Sequence, residues 1–87
     1  LFDAALWMAD VEGWDGRGEP DVVAYSRGVP LGLRSYAHLV PMNDPERLED
    51  KFRRHGDRVA ALLVEPILGN CCAVSADAEY VRLARSL

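Results

Sequence analysis

The apolar run Val-Ala-Ala-Leu-Leu-Val at residues 59–64 decides the fold class of this 87-residue chain. The run has no polar alternation, so it does not read as a strand with one face in water. It suits a strand that is covered on both faces, as in a parallel sheet. A helix predicted just before it gives the helix-then-buried-strand order of α/β proteins. The sequence therefore predicts an α/β fold with a mainly parallel sheet and flanking helices.

Local signals predict the helix that precedes this run. Asp44 is a natural N-cap, because its carboxylate can accept from backbone N–H groups two or three residues on. Pro45 then occupies the first helical position, where its missing N–H costs nothing. Leu48 and the phenylalanine four positions later share an apolar face. Gly56 is predicted to stop the helix in the left-handed conformation, which gives a helix from Pro45 to His55.

Turn residues and apolar runs predict the remaining elements. The run from Ala4 to Ala9 is either a buried strand or a helical turn, since its length does not separate the two. The other predictions are a loop over 11–20, a brief strand over 21–25, a strand over 35–40, a loop over 68–75 and a last helix, capped by Ser75 or Asp77, with Tyr80, Leu83, Ala84 and Leu87 at helical spacing.

Composition excludes several classes of protein. An apolar content of 49% with 28% charged residues is typical of a globular domain. A net charge of −4 argues against sequence-independent nucleic-acid binding, which needs a basic surface. No run approaches the ~20 apolar residues of a membrane span. Cys71 and Cys72 are adjacent, which suits neither a disulfide nor a zinc site. We therefore expect a cytoplasmic protein with no metal, nucleic-acid or membrane partner.

Two polar residues follow the predicted strand. Glu65 comes directly after it, and Asn70 follows Gly69 on a tight loop. Side chains at the carboxyl ends of parallel strands point toward the crevice where α/β sheets bind ligands. A carboxylate and an amide with a binding role fit this position. The alternative is that Glu65 caps or pairs structurally and that Asn70 satisfies its own loop backbone. The residues alone leave both interpretations open.

The order of motifs around the strand resembles the class III pyridoxal-phosphate aminotransferases, most closely the glutamate-1-semialdehyde aminomutase branch. The shared motifs are, in order, Gly28-Val29-Pro30, Met42-Asn43-Asp44, the helix, the strand ending in Glu65-Pro66, and Gly69-Asn70. Each motif is weak alone, but their order and spacing together are specific. The resemblance covers residues 28–87, about two thirds of the chain, whereas residues 1–27 match poorly.

This resemblance implies that residues 1–87 are a single segment of the large, cofactor-binding domain of a fold-type I enzyme. The complete enzyme would be a homodimer. It would move an amino group between small molecules, or within one molecule, through pyridoxal phosphate. Glu65 would support the residues that line the cofactor pocket, Asn70 would line the substrate side, and Trp14 would flank the cofactor ring.

The resemblance also implies what the chain lacks. The lysine that forms a Schiff base with the cofactor and the aspartate at the pyridinium nitrogen would lie beyond Leu87. Lys51 is predicted to be a surface residue of the helix. Val11 and Glu12 stand where the family has tyrosine and histidine, so an aromatic face is missing there. No catalytic residue is predicted, and the isolated fragment should be inactive. The rival hypothesis is a non-catalytic, degenerate α/β interaction domain.

Overall fold

The chain folds into short strands and two α-helices, and the computed structural model describes residues 6–69 and 72–87. It divides into two units, Leu1–Leu39 and Val40–Leu87. No helix in the described part is long and apolar enough to cross a bilayer. In chain order the elements are β1 (Trp7–Ala9), β2 (Val22–Ala24), a 3-10 helix (Leu31–Tyr36), α1 (Pro45–His55), a 3-10 turn (Gly56–Arg58), β3 (Ile67–Leu68), β4 (Val74–Ser75) and α2 (Ala78–Ser86).

The first unit is built on an antiparallel hairpin. β1 pairs with β2, so that Trp7 lies opposite Ala24 and Ala9 lies opposite Val22. Trp7 and Val29 are the buried apolar side chains of the described part of this unit. The predicted strand over 21–25 and the loop over 11–20 are confirmed. Two alternatives, a strand or a helical turn, were predicted for residues 4–9. The structure has a strand over 7–9, and residues 4 and 5 lie outside the described residues.

The strand predicted over residues 35–40 is wrong. Residues Leu31–Tyr36 form a 3-10 helix instead, and 37–40 have no regular structure. The backbone N–H of Leu33 donates to the carbonyl of Pro30 at 3.1 Å, and that of Ala37 donates to Arg34 at 3.2 Å. These i-to-i+3 bonds satisfy the backbone locally. An extended conformation would need a neighbouring strand, and none of the described residues supplies one here.

The second unit contains the predicted helix, and α1 confirms its bounds at Pro45 and His55. Asp44 caps it, because its Oδ1 accepts from the backbone N–H of Arg47 at 3.0 Å. Leu48 is fully buried at 0% exposure. The helix therefore has both an ordered start and an apolar face that is removed from water.

The end of α1 differs from the prediction. Gly56 has φ −58° and ψ −33°, so it is right-handed and not the left-handed stop that the sequence predicted. Its backbone N–H donates to the carbonyl of Phe52, which continues the helical pattern. The chain then tightens into the 3-10 turn Gly56–Arg58 before it leaves the helix.

A small hairpin and the last helix complete the second unit. β3 and β4 pair antiparallel, with Ile67 opposite Ser75. The loop predicted over 68–75 is thus partly a hairpin. α2 confirms the predicted last helix, packs against α1 and buries Tyr80. Asp77, one of the two predicted caps, occupies the N-cap position, but its side chain makes no capping bond to any described residue. Ser75, the other, lies in β4.

The apolar run at residues 59–64 is the main correction. It belongs to no strand pair among the described residues, and Leu62, Leu63 and Val64 are 41%, 64% and 41% exposed. An extended segment is stabilised only when a neighbouring strand takes up its backbone groups. The described sheets, β1–β2 and β3–β4, are both antiparallel. The α/β composition is confirmed, whereas the described part of the chain holds no mainly parallel sheet.

Candidate functional site

Glu65 lies in the second unit, between the exposed run and Pro66. Its side chain is exposed to solvent, and its Oε2 accepts from the backbone N–H of Gly69 at 3.4 Å. That distance is beyond the usual range for such a bond, so the contact holds the carboxylate only weakly. Glu65 thus makes a contact within its own loop, as the structural alternative predicted, but this contact is loose. The carboxylate stays accessible for a partner in solution.

Asn70, the second predicted site residue, lies outside the described residues, as does Cys71. The residues that follow them are informative. Cys72 and Ala73 have φ values of 57° and 53°, in the left-handed region that non-glycine residues rarely adopt. Such strain persists only where the surrounding structure enforces it. The sequence did not predict it, because neither residue type favours this conformation.

Trp14, the third predicted site residue, belongs to the first unit. It is 36% exposed, and its Nε1 donates to the carbonyl of Arg17 at 2.9 Å. The backbone N–H of Arg17 in turn donates to Oδ1 of Asp15 at 2.9 Å. These bonds order the 11–20 loop from within. They leave part of the indole open to solvent, where it could contact a planar ring.

The side-chain amide of Asn43 makes two hydrogen bonds in the second unit, and the sequence did not single out Asn43 as a site residue. Its Nδ2 donates to the carbonyl of Ser75 at 2.9 Å. Its Oδ1 accepts from the backbone N–H of Asp77 at 2.7 Å. Asn43 has φ 62°, a conformation that asparagine tolerates better than most residues. The available signal was an asparagine directly before an N-cap aspartate.

The polar side of α1 is internally paired. Desolvation raises the pKa of Asp50, but hydrogen bonds and positive charge from Arg53 and Arg54 outweigh it and hold that pKa below its usual value. Lys51, predicted to be a surface residue, is partly buried on the same helix. Arg53 and Arg54 are therefore paired with Asp50 of their own helix.

Tyr80 marks the contact between the two helices. Burial raises the pKa of its phenol, and the negative charge of Asp44 raises that pKa further. The ring is thus neutral at physiological pH. It acts as an apolar group of the core beside the N-terminus of α1.

The concave surface of the second unit does not fit pyridoxal phosphate. A shallow concave surface runs along α1 and is bordered by Glu46, Glu49, Asp50 and Asp57, with Arg53 paired to Asp50. This acidic lining repels a phosphate group. Neither Glu65 nor Trp14 borders it. This surface is therefore not a site for the cofactor.

A metal site was not predicted. Within residues 6–69 and 72–87, no three His, Cys, Asp or Glu side chains are grouped so that they could hold an ion. Cys72 is exposed and forms no disulfide within that part of the chain.

Comparison with known proteins relates the chain to one kind of enzyme. No family model and no solved structure matches it. A glutamate-1-semialdehyde 2,1-aminomutase of Natronomonas pharaonis is 42% identical over 67 residues, which is 77% of this chain and 15% of the relative. The enzyme of the same name from Caldivirga maquilingensis is 43% identical over 65 residues, 75% of this chain and 15% of the relative.

A third relative extends the similarity toward both ends. The glutamate-1-semialdehyde 2,1-aminomutase of a Psychrobacter species is 36% identical over 80 residues, 92% of this chain and 16% of the relative. Any 80-residue stretch of an 87-residue chain contains residues 8–80, so this match includes Trp14, Glu65 and Asn70. The aligned region thus reaches into the first third of the chain, where the motifs match poorly.

The motif order and these matches define the chain as a segment of the class III pyridoxal-phosphate-dependent aminotransferases. Within that class it belongs to the glutamate-1-semialdehyde 2,1-aminomutase-like family. The chain spans only 14% to 16% of the length of the curated relatives that it matches.

Proposed function

We propose that this chain is part of a pyridoxal-phosphate-dependent enzyme that transfers an amino group, as an aminotransferase or an aminomutase. The observation that carries the proposal is the 36% identity over 92% of the chain to a glutamate-1-semialdehyde 2,1-aminomutase. The proposed substrate is a small amino compound of the semialdehyde type. The proposed complete enzyme is a cytoplasmic homodimer that does not act on nucleic acid or membranes.

The proposed setting of residues 59–64 is the interior of a larger sheet. These residues are all apolar, yet the last three are between 41% and 64% exposed in the chain. Strands from elsewhere in the complete polypeptide would cover both faces of the run and take up its backbone groups. This setting corresponds to the large domain of a fold-type I enzyme, of which residues 1–87 would be one segment.

The proposed cofactor-binding residues are Glu65, Asn70 and Trp14. Glu65 would support the cofactor pocket through its accessible carboxylate, Asn70 would line the substrate side, and the indole of Trp14 would lie against the cofactor ring. When bound, pyridoxal phosphate would supply the electron sink of the reaction. The lysine and the aspartate that it requires are proposed to come from outside these 87 residues.

The test compares the complete polypeptide with the 87-residue chain. The complete protein should take up pyridoxal phosphate and show the visible absorbance of the bound cofactor, and the isolated chain should not. Glu65→Ala should weaken cofactor binding about tenfold or more, as expected when a charge-assisted contact is lost. Glu79→Ala, which removes an exposed carboxylate from the first turn of α2, is the matched control.

Two results would reject the proposal. One is a complete protein that takes up no cofactor, which would favour the non-catalytic interaction domain. The other is a cofactor band that the isolated chain produces and that Lys51→Arg abolishes, which would assign the Schiff-base role to Lys51.

A further inference from the structure

Asn43 joins the start of α1 to the segment that links β4 to α2. Its amide nitrogen donates to the carbonyl of Ser75, and its amide oxygen accepts from the N–H of Asp77. Both bonds are short, at 2.9 and 2.7 Å, and they span 32 and 34 positions of sequence. One side chain thus holds the backbone on both sides of Ala76.

The same segment is tied to the neighbour of Glu65. The backbone N–H of Ala76 donates to the carbonyl of Pro66 at 2.8 Å. Pro66 directly follows Glu65, and its ring fixes the backbone φ at that point. The path from the amide of Asn43 to the backbone of Glu65 therefore runs through three short hydrogen bonds and one rigid residue.

The start of α1, from which the side chain of Asn43 extends, is held in place by the packed helices. Asn43 precedes the N-cap Asp44, whose backbone carbonyl accepts from the N–H of Leu48 at 3.1 Å. Leu48 is fully buried, and Tyr80 of α2 is 6% exposed. The side chain of Asn43 therefore projects from a fixed point of the packed helix pair.

We propose that Asn43 is a positioning residue for Glu65: by clamping residues 75–77 to the start of α1, it fixes where the backbone of Glu65 stands. The role of the clamp in cofactor binding rests on the proposed function. The clamp itself does not, and the two can be tested separately.

The first test measures amide hydrogen exchange in the 87-residue chain. Asn43→Gly removes both side-chain bonds and still permits φ 62°, so it adds no backbone strain. We expect the Ala76 amide to exchange roughly fivefold to a hundredfold faster, the effect of losing two hydrogen bonds. The amide shifts of Glu65 and Gly69 should move, while exchange at Phe52 in α1 stays unchanged.

Two variants complete this test. Asn43→Asp keeps an acceptor for the N–H of Asp77 and loses the donor to Ser75, so it should restore part of the protection. Ser86→Ala removes a different side-chain-to-backbone bond, 2.7 Å long, at the far end of α2 and should leave Ala76 unaffected. Equal acceleration at Ala76 and Phe52 in Asn43→Gly would show general destabilisation and overturn the clamp.

The second test uses the complete polypeptide and the dissociation constant of pyridoxal phosphate. If Asn43 acts through Glu65, Asn43→Gly weakens cofactor binding in the wild-type background and adds nothing in a Glu65→Ala background. Additive losses would overturn the positioning role. If Glu65→Ala itself changes nothing, the proposed cofactor site fails, while the exchange result still decides the clamp.

Discussion

Helix α1 and the apolar run that follows it are separated by the three-residue turn Gly56–Arg58, yet they differ in how far their sequence determines their structure. α1 has the predicted bounds, cap and buried face. The run at 59–64 was predicted to be a buried strand and is largely exposed. The helix satisfies its backbone groups through bonds inside the helix and through its caps Asp44 and Gly56, whereas the run depends on residues elsewhere.

The difference separates two kinds of sequence information. The cap, the first-turn proline and the apolar spacing of α1 act over a few residues and operate in any context. An uninterrupted apolar run indicates only that the segment is suited to burial, and it does not indicate which residues cover it. The covering strands have to be present for that burial to occur.

The strongest test of this contrast compares two leucines. Leu48→Ala removes a side chain that is fully buried in α1, and it should lower the free energy of unfolding by about 2–5 kcal/mol. Leu63→Ala removes one that is 64% exposed and should change it by less than about 0.5 kcal/mol. Urea denaturation followed by circular dichroism measures both. Equal losses would show that the run is buried after all.

A second test concerns the local signals of α1. Asp44→Ala removes the observed cap and should cost about 1 kcal/mol. Asp77→Ala changes the residue at the equivalent position of α2, whose side chain makes no capping bond to the described residues, and should cost only a few tenths. The same denaturation experiment measures both. If Asp77→Ala costs as much as Asp44→Ala, the contrast in capping is refuted.

A third test addresses the end of α1. Because Gly56 is right-handed, Gly56→Ala should stabilise the chain by roughly 0.4–1 kcal/mol. The new Cβ would lie 3.5 Å from Cδ1 of Phe52, an ordinary contact. Gly28→Ala is the matched control and should destabilise, because Gly28 has φ 92°. If Gly56→Ala lowers the melting temperature, the prediction that Gly56 ends the helix in the left-handed conformation would be supported instead.

The smallest expected effect is the titration of Asp50. Its pKa is depressed in the folded chain, so the contribution of its pairs is present above the unfolded-state pKa and is lost as the pH falls through the folded-state pKa. A carboxyl-carbon NMR titration should give a midpoint below the ordinary value of about 3.9. The double variant Arg53→Gln/Arg54→Gln should raise that midpoint. An unchanged midpoint would show that the pairs do not act on Asp50.

The parts of the fold that were predictable are those fixed by local chemistry. The α1 bounds, α2, the brief strand over 22–24 and the 11–20 loop follow from caps, glycines and apolar spacing. Three of the failed predictions have the following physical reasons. Residues 35–40 and 59–64 lack pairing strands among the described residues, and Gly56 keeps a helical hydrogen bond instead of ending the helix.

The candidate site was predictable only as a set of residues. The sequence indicated Glu65, Asn70 and Trp14, but it could not show that the carboxylate of Glu65 is held loosely or that the indole of Trp14 bonds to its own loop. The sequence marks Asn43 only as part of the motif Met42-Asn43-Asp44. Its role depends on contacts with residues 32 and 34 positions away, and no local pattern encodes such contacts.

The distribution of aromatic residues has a practical consequence for spectroscopy. Trp7 and Trp14 are the two tryptophans of the chain, and both lie in the unit that ends at Leu39. Indole emission therefore reports on the melting of that unit alone. Of the three tyrosines, Tyr25 and Tyr36 are exposed in the first unit and Tyr80 is buried in the second, so the change in tyrosine signal that comes from loss of burial reports on the second unit. A single sample can thus show whether the two halves unfold in one transition or in two.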